Sequence, residues 1–213
     1  MKLFRSKKPP RRSEIVAAAD HARARGSIRK AVAGYRKALE SDPSDPAINV
    51  KLAPLLAKLG DAEGGARCFR TAASRHLEEG FADRAAAVNV AALGVFPLDP
   101  EFRIEVARLN VGRGRTQDAL ATLLDGGRRH VRARRPDLAG RLYGLALQIE
   151  PWHLETCLAF VPLLARSGEA DTARRLVDGL LARHRGSARR RVRWLAFRVW
   201  PGPGTFWRWL ARA

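Results

Sequence analysis

Residues 26–43 read GSIRKAVAGYRKALESDP, and the spacing within them decides the fold class. Gly26 ends whatever precedes it, because glycine takes up the left-handed backbone that a helix C-terminus needs. Ser27 is a helix N-cap residue. Ala31, Tyr35, Ala38 and Leu39 then fall on one helical face. Asp42-Pro43 stops the run, since proline has no N–H to continue it and restricts the residue before it. The small residues let a neighbouring helix come close, and the tyrosine fills the gap beside them.

Outward from this stretch the same punctuation recurs. Helical patterns cover roughly 13–25, 27–41, 46–59, 62–76, 81–95, 100–112, 115–130, 136–149, 153–167, 169–185 and 188–200, with Gly, Pro or Asp between them. Gly60, Gly114 and Gly168 stand 54 residues apart, and so do Pro43, Pro97 and Pro151. In rows of 54, Phe69 shares a column with Leu123 and Val177, and LAPLLAKLGDAE at 52–63 lies over FVPLLARSGEAD at 160–171. Residues 14–45 fit the last two-thirds of a preceding row, with Gly26 over Gly80 and Tyr35 over Asn89. Each row holds three helices. Pro54 and Pro162 fall inside helices at equivalent places, where each removes a backbone bond and predicts a bend.

Gly26, Ala31, Tyr35, Ala38 and Pro43 together resemble the second half of a tetratricopeptide repeat (TPR), whose turn glycine, alanine, aromatic, alanine and closing proline stand at these offsets. Gly60, Phe69, Gly80, Pro97, Gly114, Ala139, Tyr143, Ala146, Pro151 and Gly168 extend the register over residues 12–186 or so. The motifs are degenerate: Gly65 stands where an alanine belongs, and Arg134 where a turn glycine belongs. A helix pair spans 34 residues in this family, so the 54-residue row implies interleaving, its middle helix closing one pair and opening the next. The resemblance implies an all-α, TPR-like α-solenoid, a right-handed superhelix of antiparallel helix pairs. Members that grip a C-terminal carboxylate use Lys, Asn and Arg on their first helices. The matching positions here are Val16, Asp20, Lys51, Glu101 and Glu105, which do not make that clamp.

The composition narrows the function. The formal charge is +19, from 40 basic and 21 acidic residues, and only seven of the basic residues are lysine. Cys68 and Cys157 are the only cysteines and belong to no C-x-x-C pair, which argues against a disulfide framework or zinc site. No phosphate-binding glycine loop, H-E-x-x-H or Cys/His cluster is present. No run reaches the roughly 18 apolar residues of a spanning helix. These readings predict a cytoplasmic protein without catalysis, cofactor, metal or small-molecule substrate.

Two features suggest partners. Arg75-His76, Arg129-His130 and Arg183-His184 recur once per row. They form either a basic ladder for an anionic partner or cations that complement helix C-termini, with the histidines in interhelix aromatic slots. Residues 183–213 hold nine arginines, no acidic residue, and Trp194, Trp200, Trp207 and Trp209. Arg191, Trp194, Arg198, Trp200, Trp207, Arg208 and Trp209 are therefore candidate contacts to a partner or an anionic membrane, unless they cap the last repeat. The expected organisation is a basic arm at 1–12, a repeat domain at 13–186 and an Arg/Trp segment at 187–213. The expected function is a scaffold that takes a peptide or helix of another protein in its groove, and whose C-terminus places it either on an anionic membrane, at the inner face, or against a partner. A nucleic-acid-binding repeat driven by the positive charge is the alternative.

Overall fold

The structure, a computed structural model, describes residues 10–202 and Gly204. Among these residues the chain is helical throughout, with no strand. The helices are α1 (Arg12–Ala24), α2 (Ile28–Leu39), α3 (Pro46–Lys58), α4 (Ala62–Glu78), α5 (Ala82–Val95), α6 (Pro100–Gly112), α7 (Thr116–Arg132), α8 (Pro136–Ile149), α9 (Leu154–Arg166), α10 (Ala170–Arg183) and α11 (Gly186–Val199). Every predicted helix is present. The chain divides at Pro97–Leu98 into two compact units, α1–α5 and α6–α11.

Two kinds of connector alternate, and each follows from its residues. Gly26, Gly60, Gly80, Gly114 and Gly168 all have φ between +72° and +89°, which a side chain would make costly. At Gly60 the amide of Asp61 donates to the Leu56 carbonyl and that of Gly60 to Ala57, both at 3.0 Å, so the last carbonyls of α3 are satisfied within a tight turn. The other connectors carry Pro43, Pro97 and Pro151. From α3 onward the order is tight, tight, proline, then tight, tight, proline, which is the 54-residue period in three dimensions.

Two departures from the TPR pattern have local explanations. Arg134 has φ 56° and makes the same bonds as the turn glycines, with Arg135 N–H donating to the His130 carbonyl at 2.9 Å and Arg134 N–H to that of Val131 at 3.1 Å. The turn is kept without its glycine. At Gly65 an added Cβ would lie 2.7 Å from the Ala53 carbonyl oxygen and 3.0 Å from the Phe96 ring, so α3 and α4 approach too closely there for alanine.

In the first unit Ala31, Tyr35 and Ala38 of α2 are fully buried against Ala19 and Ala22 of α1 and Ile48, Leu52 and Leu56 of α3. The Tyr35 hydroxyl donates to Asp20, and Lys51 donates to the same carboxylate at 2.9 Å, so one acid ties α1, α2 and α3. Those bonds hold the Asp20 carboxyl below its ordinary range, while burial and Asp20 push the Tyr35 hydroxyl up to about 12. Phe69 of α4 meets Phe96 edge-on at 6.2 Å. Asp45 and Asp61 cap α3 and α4 by accepting from the amides of Ile48 and Gly64.

In the second unit Ala139, Tyr143 and Ala146 of α8 are buried in the same way. Tyr143 fits because residue 127 is glycine, where a Cβ would lie 2.2 Å from its ring. Leu120, Leu123 and Leu142 form one cluster, and Val161, Leu164, Val177, Leu180 and Val192 another across α9, α10 and α11. α3 and α9 run on through Pro54 and Pro162 as single helices. In the second case the Leu158 carbonyl loses the donor that residue 162 would have supplied.

Candidate functional site

The Arg/Trp segment is described as far as Gly202, and at Gly204. α11 buries Val192 and Leu195 and turns Trp194, 45% exposed, the other way. At helical spacing Arg190 and Arg198 lie one turn before and one turn after Trp194, and both are exposed. The Trp194 and Phe197 rings stand 5.8 Å apart. Trp200, at the C-terminal end, packs on the α9–α11 core, with the Arg174 guanidinium 5.8 Å from its ring. Trp207, Arg208 and Trp209 lie outside the described residues, as does most of the predicted N-terminal arm.

Arg191 grips Glu155 of α9 with both terminal nitrogens, at 2.6 and 2.9 Å. Arg128 of α7 stands 3.8 Å from the same carboxylate. Glu155 therefore joins α7, α9 and α11, and the Arg191 bond is the first cause of its lowered pKa, which burial opposes. All three side chains are about half exposed, so the pair positions α11 and adds little stability.

Two clefts flank α11. Towards α10, a cavity of about 290 Å³ is lined by Val177, Leu181, Ala196 and Trp200 together with Arg174, Asp178 and Arg193. Towards α9, one of about 380 Å³ is lined by Leu158, Pro162, Leu195, Val199 and Trp200 together with Arg166 and Arg198. A third, of about 600 Å³, runs between α6, α7 and α8 over Ile104, Ala107, Val111, Leu145 and Ile149.

The three Arg-His pairs occupy different settings. Arg75 donates to Glu79 at 2.7 Å and Arg129 to Asp125 at 2.8 Å, both one turn along their own helices, while Arg183 lies over the Trp152 ring at 3.9 Å. His130 is fully buried, whereas His76 and His184 are half-buried. His76 meets Phe81 edge-on at 6.5 Å. Each of the three arginines thus has a partner within the chain, a carboxylate for Arg75 and Arg129 and a ring for Arg183. Of the positions matched to a carboxylate clamp, Asp20 and Lys51 pair with each other, Glu101 with Arg141 at 2.5 Å and Glu105 with Arg108 at 2.7 Å.

Arg166, Glu155 and Pro162 were not singled out by sequence reading as neighbours of the Arg/Trp segment. Residues 158 and 195, or 166 and 198, become neighbours only through the packing of α9 on α11. Among the described residues no group of three His, Cys, Asp or Glu side chains is placed to hold a metal ion. Cys157 is fully buried, and burial pushes its thiol up to about 11, so it is inert at neutral pH. No described helix is long and apolar enough to cross a membrane.

Antiparallel helix pairs closed by left-handed turns, with Ala-aromatic-Ala faces buried between neighbours, define a TPR-like helical-repeat protein. No protein-family model matches the chain, and no curated protein does. Among solved structures the chain is similar to a TPR repeats protein from Bacteroides fragilis, at 10% identity over 95% of this chain and 97% of that one, TM-score 0.47. It is similar to BtubC from P. vanneervenii at 20% identity over 90% and 83%, TM-score 0.37. PilW, a type IV pilus biogenesis factor, matches at 15% identity over 85% and 97%, TM-score 0.29.

Proposed function

We propose that this protein is a non-catalytic helical-repeat scaffold that docks a peptide or helix of another protein and is seated on an anionic membrane surface by α11. The observation that carries the membrane placement is the outer face of α11. There an exposed tryptophan stands beside a phenylalanine and between arginines, on a helix with no acidic residue. An indole settles at headgroup depth while guanidinium meets lipid phosphate, and neighbouring basic residues add about 1 kcal/mol each near an anionic surface. The apolar groove between α6, α7 and α8 supports the docking part, because an accessible apolar floor of that size suits a helix or an extended segment.

Flotation of the full-length protein with anionic and with neutral vesicles, at low and moderate salt, tests the placement. Anionic vesicles should carry the protein with a blue shift of tryptophan emission, and neutral ones should not. Absence of flotation at low salt overturns it. The alternative, nucleic-acid binding, draws on Arg128, Arg129, Arg132, Arg134 and Arg135, all exposed around one turn. Binding that falls steeply with salt and is not competed by peptides would favour that reading.

A further inference from the structure

The cleft between α9 and α11 differs from its neighbour on the other side of α11 in one chemical respect. Both have Trp200 in their lining, and both carry two arginines. The α10 side also contains Asp178, so an anion entering there meets a carboxylate. The lining of the α9 side has no acidic residue. Arg166, at the last turn of α9, and Arg198, at the last turn of α11, come to the mouth of this second cleft from different helices, and both are exposed. The rest of the lining, Leu158, Pro162, Ala165, Leu195, Val199 and Trp200, is less exposed than the two arginines. Guanidinium groups beside an apolar lining fit a molecule that is anionic at one end and hydrocarbon at the other.

We infer that this cleft binds the anionic head of a membrane lipid together with the first part of one acyl chain, Arg166 and Arg198 holding the phosphate and Leu158, Pro162, Leu195 and Val199 taking the methylenes. The inference rests on the membrane placement proposed above and gives it a specific contact. A volume of about 380 Å³ is near the lower end of ligand cavities, which suits a head and the start of one chain, not a whole lipid. Trp194 lies on α11 and Trp200 directly follows the helix, six residues on, so a lipid held in the cleft would sit beside the face that meets the membrane. Arg191, on that face, is already committed to Glu155, which leaves the head to Arg166 and Arg198.

The test uses the full chain and its R166Q/R198Q variant. Both positions are exposed, so the variant should keep the wild-type ellipticity and melting temperature. Titration with dihexanoyl-phosphatidylglycerol below its micellar concentration, followed by tryptophan emission, should saturate for the wild type. Loss of charge-assisted bonds from two arginines should weaken that binding by about a hundredfold. Neutral dihexanoyl-phosphatidylcholine and inorganic phosphate should bind far more weakly to either protein. Equal binding of inorganic phosphate would overturn the acyl part of the site, and equal affinity of the variant would overturn the site itself. Flotation of the wild type with anionic vesicles, without binding of the monomeric lipid, would also overturn the cleft while leaving the membrane placement intact. Failure of both overturns both.

Discussion

His130 should be replaceable by phenylalanine with a gain in stability that depends on pH. The residue lies on α7, is fully buried, and neither ring nitrogen has a hydrogen-bond partner among the described residues. Burial, then Arg135, then Arg103 hold its pKa below the ordinary value. The native state therefore carries a neutral imidazole where the unfolded chain, with a pKa of about 6.5, takes up a proton more readily. Stability is thus lost as pH falls below about 6.5, and the loss continues down to the depressed native pKa. Between pH 7.5 and 5.5 the wild type should therefore lose more stability than a protein that lacks this histidine. The stranded nitrogens add a desolvation cost of about 1–3 kcal/mol that exists at every pH. Phenylalanine keeps a planar ring at the position without polar atoms, and it removes both terms. Its extra volume can offset part of the constant term in a close-packed interior, but not the pH-dependent one. All five tryptophans lie beyond residue 151, so emission during urea unfolding reports the second unit. The wild-type and His130→Phe midpoints should converge or stay parallel above pH 7 and diverge as pH falls to 5.5. The other four histidines are common to both proteins and cancel in the comparison. Parallel pH profiles throughout would refute a neutral, unpartnered His130.

Four further outcomes follow from the same geometry. Arg134→Gly should stabilise the second unit by about 1 kcal/mol in urea unfolding, because a left-handed conformation strains arginine and not glycine; destabilisation would mean the guanidinium contributes more than the strain costs. Gly65→Ala should cost about 1–3 kcal/mol by thermal ellipticity, since its Cβ would meet the Ala53 carbonyl oxygen, backbone that cannot swing aside as a side chain can. Asp20→Asn should lower stability at pH 7 and flatten the acid limb. The Asp20 pKa is lowered by Tyr35 and then Lys51, so its contribution is present above about 3.8 and disappears as pH falls through the lower native value. Trp194→Ala should reduce flotation with anionic vesicles and leave the melting temperature within a degree or two, since the indole lies on the outer face of α11.

What the chain discloses before folding depends on whether a feature is set by neighbours in sequence or by neighbours in space. Helix ends are local events. Glycine at positive φ and proline after the last turn act within a few residues, and so all the helices could be read from spacing. Even the Arg134 turn was legible from its place in the period, although the residue is wrong for it, because the surrounding helices force the turn. Buried polar residues were less visible. Asn49 and Cys157 share a column two rows apart, and both reach back to a closing proline, the Asn49 amide to the Pro43 carbonyl at 2.9 Å and the Cys157 thiol to that of Pro151 at 3.9 Å. Asparagine and cysteine look unrelated in a row of letters, and only the common acceptor makes them equivalent. The lipid cleft is the extreme case. Composition pointed to Trp194, Trp200 and the arginines of α11, since a dense cluster of one residue type is visible in any window. Arg166 sits alone, 32 residues before Arg198, in a stretch that reads as an ordinary helix C-terminus. Its part in the cleft exists only because α10 doubles the chain back and lays α11 along α9. Pro162, read from sequence as a bend in its helix, also lines the cleft. A binding site assembled across two helices of a repeat is therefore encoded in the hairpin that separates them, and not in either stretch that lines it.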